Sequence, residues 1–185
     1  NTITLGGSSQ LVMSGNTEVW GGTTFATVAG GGVGGIGGVG VGGGVAKWVV
    51  NTNSLSLIHH PVLNLGVIQV GVPLEFSGQF LDLNDVDLVL GSGLLAGDGG
   101  TSTTIRGTSS LQLSGGALQV GHNGVNLNVP ATISSDVVGT GRLTINSPSS
   151  ISGNLLLDGG AAVNSQLNLL GNVSHDVEVG SSGYL

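Results

Sequence analysis

Apolar–x–apolar triplets separated by Gly, Asn, Ser or Asp recur along most of this chain. In its last third, Leu143–Ile145, Leu155–Leu157, Leu167–Leu169 and Val177–Val179 begin 12, 12 and 10 residues apart. Side chains one residue apart share a face of an extended strand, and the residue between them faces the other way. Each triplet therefore predicts a very short strand with one buried face. Upstream, triplets start at Leu55, Leu63, Ile68, Leu74, Leu81 and Leu88, then at Leu111, Leu118 and Val125, with gaps of 5 to 8 residues inside each run. Three such segments occupy about 21 residues, close to one coil of a β-solenoid whose strands stack in register on the next coil. Glycines and asparagines between triplets suit the backbone angles of sharp corners.

The same rhythm predicts strands at Thr2–Leu5, Leu11–Met13, Thr17–Trp20 and Val45–Val50. Two stretches depart from it. Leu90 to Leu111 encloses GSGLLAGDGGTSTTIRGTSS, expected to be a loop or irregular coil protruding from the stack, and the wider spacing after Val125 predicts longer corners there. In Gly30–Gly44 (GGGVGGIGGVGVGGG), Val33, Ile36 and Val39 recur every third residue. That fits neither the strand period nor the helix period. A threefold helix of the polyproline II type would align them as one apolar ridge, which the flanking Trp20 and Trp48 could cover; a flexible Gly-rich loop is the alternative. Residues 1–185 thus read as a single all-β domain, a parallel β-solenoid (β-helix), with 30–44 as a Gly-rich insertion. A β-sandwich is the alternative fold, although its strands are commonly longer, about five or six residues.

Composition narrows the function. Gly supplies 37 of the 185 residues, yet Pro is only 4 and the apolar fraction 39%, so the glycines belong to something folded. Charged residues are 7%, the net charge is −7, and Lys47, Arg106 and Arg142 are the only Lys or Arg, which excludes a phosphate-binding surface and with it nucleic acid. There is no Cys, so disulfides and thiolate metal sites are excluded. With a surface rich in Ser, Thr, Asn and Gly, this points to an extracellular, cell-surface or virion setting. No apolar run is long enough for a membrane helix. The residues begin at Asn1 rather than Met, as expected of a mature form or part of a longer protein, and Asn172–Ser174 is the single glycosylation sequon.

Candidate chemistry is sparse. In Leu81–Leu88 (LDLNDVDL), unbroken alternation would bury Asp85 and Asp87, so the side-chain phase must switch at Asn84–Asp85. A corner there turns Asp82 and Asp87 outward, where carboxylates could hold calcium. Solvated turn carboxylates are the plainer reading. His59 and His60 precede Pro61 while His122 and His175 stand alone, without the spacing of converging metal ligands. No GxSxG elbow occurs. Gly97–Gly100 (GDGG) matches a fragment of calcium-binding nonapeptides without their recurrence, and the Thr101–Thr104 array (TSTT) does not repeat from coil to coil. A carboxylate pair could serve glycoside hydrolysis, but few aromatic or cationic groups are present to hold a sugar. No catalytic residue and no cofactor is assigned.

Residues 132–179, with Leu143-Thr-Ile-Asn-Ser, Ile151-Ser-Gly-Asn-Leu and Leu155-Leu-Leu-Asp-Gly-Gly, resemble the passenger repeats of autotransporter and filamentous-haemagglutinin-type adhesins. That resemblance implies a right-handed parallel β-helix on a surface protein and carries no functional residue with it. Gly30–Gly44 resembles the glycine-rich motifs of tail-fibre adhesins in T-even-like phages, which implies a receptor-binding module of a tail fibre or tailspike, usually a homotrimer. The leading expectation is a non-enzymatic structural or adhesive protein that assembles with copies of itself, and a cell-surface glycan or host receptor is a further expected partner. A polysaccharide-degrading β-helix enzyme is the remaining alternative. Solenoids need covered ends, so the terminal strands, with Ile3, Leu5, Val177 and Val179, are the expected assembly surface.

Overall fold

The computed structural model describes residues 2–5, 10–14, 17–27, 47–59 and 66–185. These form a parallel β-solenoid of three sheets, each strand pairing with strands of the neighbouring coils. The first sheet runs β1 (Thr2–Leu5), β4 (Thr24–Thr27), β7 (Val67–Val70), β10 (Asp87–Leu90), β13 (Leu111–Leu113), β16 (Ala131–Ile133), β19 (Ser149–Ile151) and β22 (Leu167–Leu169). The second runs β2 (Gln10–Met13), β5 (Lys47–Val50), β8 (Leu74–Phe76), β11 (Leu94–Ala96), β14 (Leu118–Val120), β17 (Val137–Gly139) and β20 (Leu155–Leu157). The third runs β3 (Thr17–Trp20), β6 (Ser54–Ile58), β9 (Phe80–Asn84), β12 (Thr103–Gly107), β15 (Val125–Leu127), β18 (Leu143–Ile145), β21 (Ala161–Val163) and β23 (Val177–Val179).

Most triplets bury their two outer residues and turn the middle one outward, as in β13, β14 and β20. One continuous core results, from Val19 and Phe25 through Leu55, Leu88 and Leu118 to Leu167. Corners contribute as well: Val72, Val86 and Val129 lie between strands and are fully buried. At the wide end of the stack Phe25 and Trp48 stack inside the coil, ring centroids 4.0 Å apart and 15° from parallel. The Trp48 indole nitrogen has no acceptor among the described residues, and the ring is held by packing against Phe25.

Two sequence expectations are corrected. The stretch between Leu90 and Leu111 is not a protruding loop, because β11 and β12 both lie within the stack. Its inward residues include Ala96 and Thr103, which weaken the apolar signal, and buried Thr103 is satisfied through Oγ1, which donates to Gly78 O at 2.8 Å and accepts from Gly97 N at 3.0 Å. After Val125 the corners shorten instead of lengthening. Strands begin at 125, 131, 137, 143, 149, 155, 161 and 167, and coil neighbours such as Asn128 and Asn146 lie 18 residues apart. The intervening strands β16, β17, β19 and β21 were hidden because Ala131, Gly139, Ser149 and Ala161 occupy inward positions. The triplet expected at Leu63 lies outside the described residues.

Candidate functional site

Parallel register turns single outward residues into columns. On the first sheet the column is Thr2, Thr24, Gln69, Val89, Gln112, Thr132, Ser150 and Asn168. It carries no charge and a single apolar member. On the second sheet the column is Val12, Val49, Glu75, Leu95, Gln119, Val138 and Leu156, apolar at five positions. The third sheet gathers charge: Glu18, Ser56, Asp82 and Arg106 stand in register, and Glu178 follows Ala162 further along.

Cations and carboxylates act between coils. Lys47 Nζ reaches Glu75 Oε1 at 2.8 Å, Arg106 Nε reaches Asp82 Oδ1 at 2.5 Å, and Arg142 pairs with Glu178. The Arg106 guanidinium also lies 3.8 Å from the centroid of the Phe80 ring. The corner expected in Leu81–Leu88 is present: β9 ends at Asn84, Asp85 takes φ of 54°, and Asp82 and Asp87 are half-buried on the outer side. Their oxygens are engaged by neighbouring coils. Asp82 also accepts from Ser54 Oγ at 3.0 Å, Asp85 from Thr108 Oγ1 at 2.6 Å, and Asp87 from both the amide and the hydroxyl of Ser110 at 2.8 Å. Among the described residues no group of three or more His, Asp or Glu converges as metal ligands would. His122 lies 3.4 Å from Asp98, and His175 bonds its neighbour Ser174.

The expected assembly residues occupy the outer coils. At one end Ile3, Leu11 and Met13 are only partly buried against the core, and Leu5 lies in β1 in register with Thr27. At the other end Val177 packs partly on the core while Val179 is 44% exposed. Leu170, Val173, Tyr184 and Leu185 are exposed beside it. The last coil continues the sheets through single bridges, Leu155 with Val173 and Gln166 with Tyr184. Trp20 sits on the outer side of β3 in register with Ile58, and Trp48 is in the core. The ridge of Val33, Ile36 and Val39 lies outside the described residues, and with it any contact that either tryptophan makes there.

Two side-chain ladders, one of asparagines alone and one ending on an aspartate, line corners of the narrow coils. Asn146 Nδ2 donates to Asn128 Oδ1 at 2.7 Å, and Asn164 Nδ2 to Asn146 Oδ1 at 2.9 Å. Asp136, Asn154 and Asn172 form the second. By contrast, the side chains of Gln112, Thr132, Ser150 and Asn168 on the first sheet make no hydrogen bond among the described residues. Sequence reasoning missed this column, because its members are single middle residues about a coil apart that only register brings together.

No family model matches the sequence, and comparisons with curated proteins and with solved structures find no similar one. Among the described residues no helix is long and apolar enough to cross a membrane. What the arrangement offers chemically is cohesion between coils, two outer coils with strand edges to extend, and three faces of distinct character.

Proposed function

We propose that the chain is a non-enzymatic structural or adhesive protein of the extracellular space or cell surface: a β-solenoid subunit or segment of a filament or adhesin that grows by adding coils. The observation that carries this is the match between the two outer coils. Among the described residues all strand pairing is parallel, so β1 to β3 and the coil containing Val173, β23 and Tyr184 present complementary edges of the same ladders. A coil of one copy on the last coil of another would continue the hydrogen bonding in all three sheets. It would also cover Leu170, Val173, Val179, Tyr184 and Leu185, which are 42–71% exposed. Such contact is head-to-tail and does not close on itself, which leads to fibres and not to a dimer. Backbone hydrogen bonds supply direction and apolar burial supplies the driving force. The charge-poor, Cys-free composition supports an extracellular setting.

Deletion of Val177–Leu185 tests it. The shortened chain is expected to retain a β-type circular dichroism spectrum and a cooperative melt while failing to polymerise. Polymerisation at the rate of the full chain would overturn the proposal, and a stable trimer of fixed size would replace it with a tail-fibre type of receptor-binding module.

A further inference from the structure

The outward column of the first sheet borders a built groove. Ser110, Pro130, Pro148 and Gln166 form a second column beside Gln112, Thr132, Ser150 and Asn168, and the two line an open groove of about 350 Å³. The second column is set by main-chain bonds between coils: Leu111 N donates to Pro130 O, Ala131 N to Pro148 O and Ser149 N to Gln166 O. Tyr184 continues it past Gln166, its hydroxyl donating to Gln166 Oε1 at 2.9 Å. The groove therefore has one wall of unengaged amides and hydroxyls, repeating at the roughly 4.8 Å spacing of parallel strands, and one wall carrying two proline rings. No charged residue lines it.

We propose that this groove binds a neutral, linear polysaccharide laid along the solenoid axis. Amides and hydroxyls both donate and accept, as sugar hydroxyls do, and each such group in the column is open to a ligand. The apolar proline rings suit the C–H faces of pyranoses, whose other edges are polar. An uncharged lining removes the attraction that an acidic glycan or a nucleic acid would need. The two other faces serve less well: the second sheet is largely apolar, and the third carries charge, with Asp82 paired to Arg106 and Glu178 to Arg142. The groove deepens the adhesive role proposed above by naming what is adhered to.

The test is calorimetric titration of dispersed full-length chain with cellohexaose, mannohexaose and laminarihexaose, with hexagalacturonate as the acidic counterpart. At least one neutral hexasaccharide is expected to bind with an affinity insensitive to salt. The combined variant Gln112→Ala, Thr132→Val, Asn168→Ala is expected to weaken it by about tenfold or more with an unchanged melting temperature, whereas Val138→Gln on the second sheet leaves it intact. Absence of binding to every neutral hexasaccharide, binding of hexagalacturonate alone, or equal binding by the triple variant would each overturn the inference. So would capture of a casein peptide in place of any sugar, which would mark the face as a protein-docking surface. Binding is read on single chains, so its loss with polymerisation intact defeats this inference alone, and the converse defeats only the assembly.

Discussion

The wide coils between Lys47 and Gly107 and the narrow coils after Val125 solve one packing problem in opposite ways. In the wide coils, register partners such as Asp82 and Arg106 lie 24 residues apart, and Ser56 and Asp82 lie 26 apart. Their interior takes Trp48, Phe76 and several leucines. In the narrow coils the separation falls to 18, and Ala131, Gly139, Ser149 and Ala161 take inward positions. Coil length sets the interior volume, and side-chain size must follow it because interiors are close-packed. The linking devices differ too. Wide coils are joined by ion pairs and by Ser and Thr hydroxyls on carboxylates; narrow coils are joined chiefly by side-chain ladders at 18-residue spacing, one of asparagines and one running from Asp136 through Asn154 to Asn172, beside the Arg142–Glu178 ion pair.

If interior volume is what separates the two regions, the largest loss follows from emptying a wide coil. Trp48→Ala removes a fully buried ring stacked on Phe25 and is expected to cost about 3–5 kcal/mol, read by urea unfolding. A loss below about 1 kcal/mol would mean that the wide coils are not packed around their aromatic residues.

The complementary change overfills a narrow coil. Gly139 has φ of 145° and a Cβ there would collide with the carbonyl of Val120, so Gly139→Ala should cost about 2–3 kcal/mol. A neutral result in the same unfolding assay would show that the narrow coils have room to relax.

The smallest effect separates the linking devices. Asn146→Ala breaks two rungs of its ladder, on Asn128 and Asn164, and is expected to cost about 1–2 kcal/mol at low and high salt alike. A cost that vanished with salt would place the ladder with the surface ion pairs, whose attraction is screened.

The contrast also explains what could be read from the sequence. Where inward positions hold Leu, Ile or Val, as in β10, β13 and β14, the apolar triplets mark the strands directly. The phase switch between Leu83 and Val86 marks the Asp85 corner. Where the coil tightens, the inward residue shrinks to Ala, Ser, Thr or Gly, and the apolar signal fades where the packing is closest. The strands β16, β17, β19 and β21 were lost for that reason; β11 and β12, although in a wide coil, were lost because Ala96 and Thr103 also stand inward. The polar column of Gln112, Thr132, Ser150 and Asn168 could not be read along the chain at all, since neither amides nor hydroxyls at middle positions differ locally from any solvated face. Asn146 and Asn168 are the same residue type, yet one is engaged in a ladder and the other faces the groove.

The claim that outer coils extend one another is tested most directly by electron cryomicroscopy of the purified chain across a concentration series. The account predicts unbranched filaments that lengthen with concentration, with the roughly 4.8 Å rung spacing of stacked strands running uninterrupted along the axis. Discrete particles of one size at every concentration, with no rung pattern crossing from one copy to the next, would contradict it.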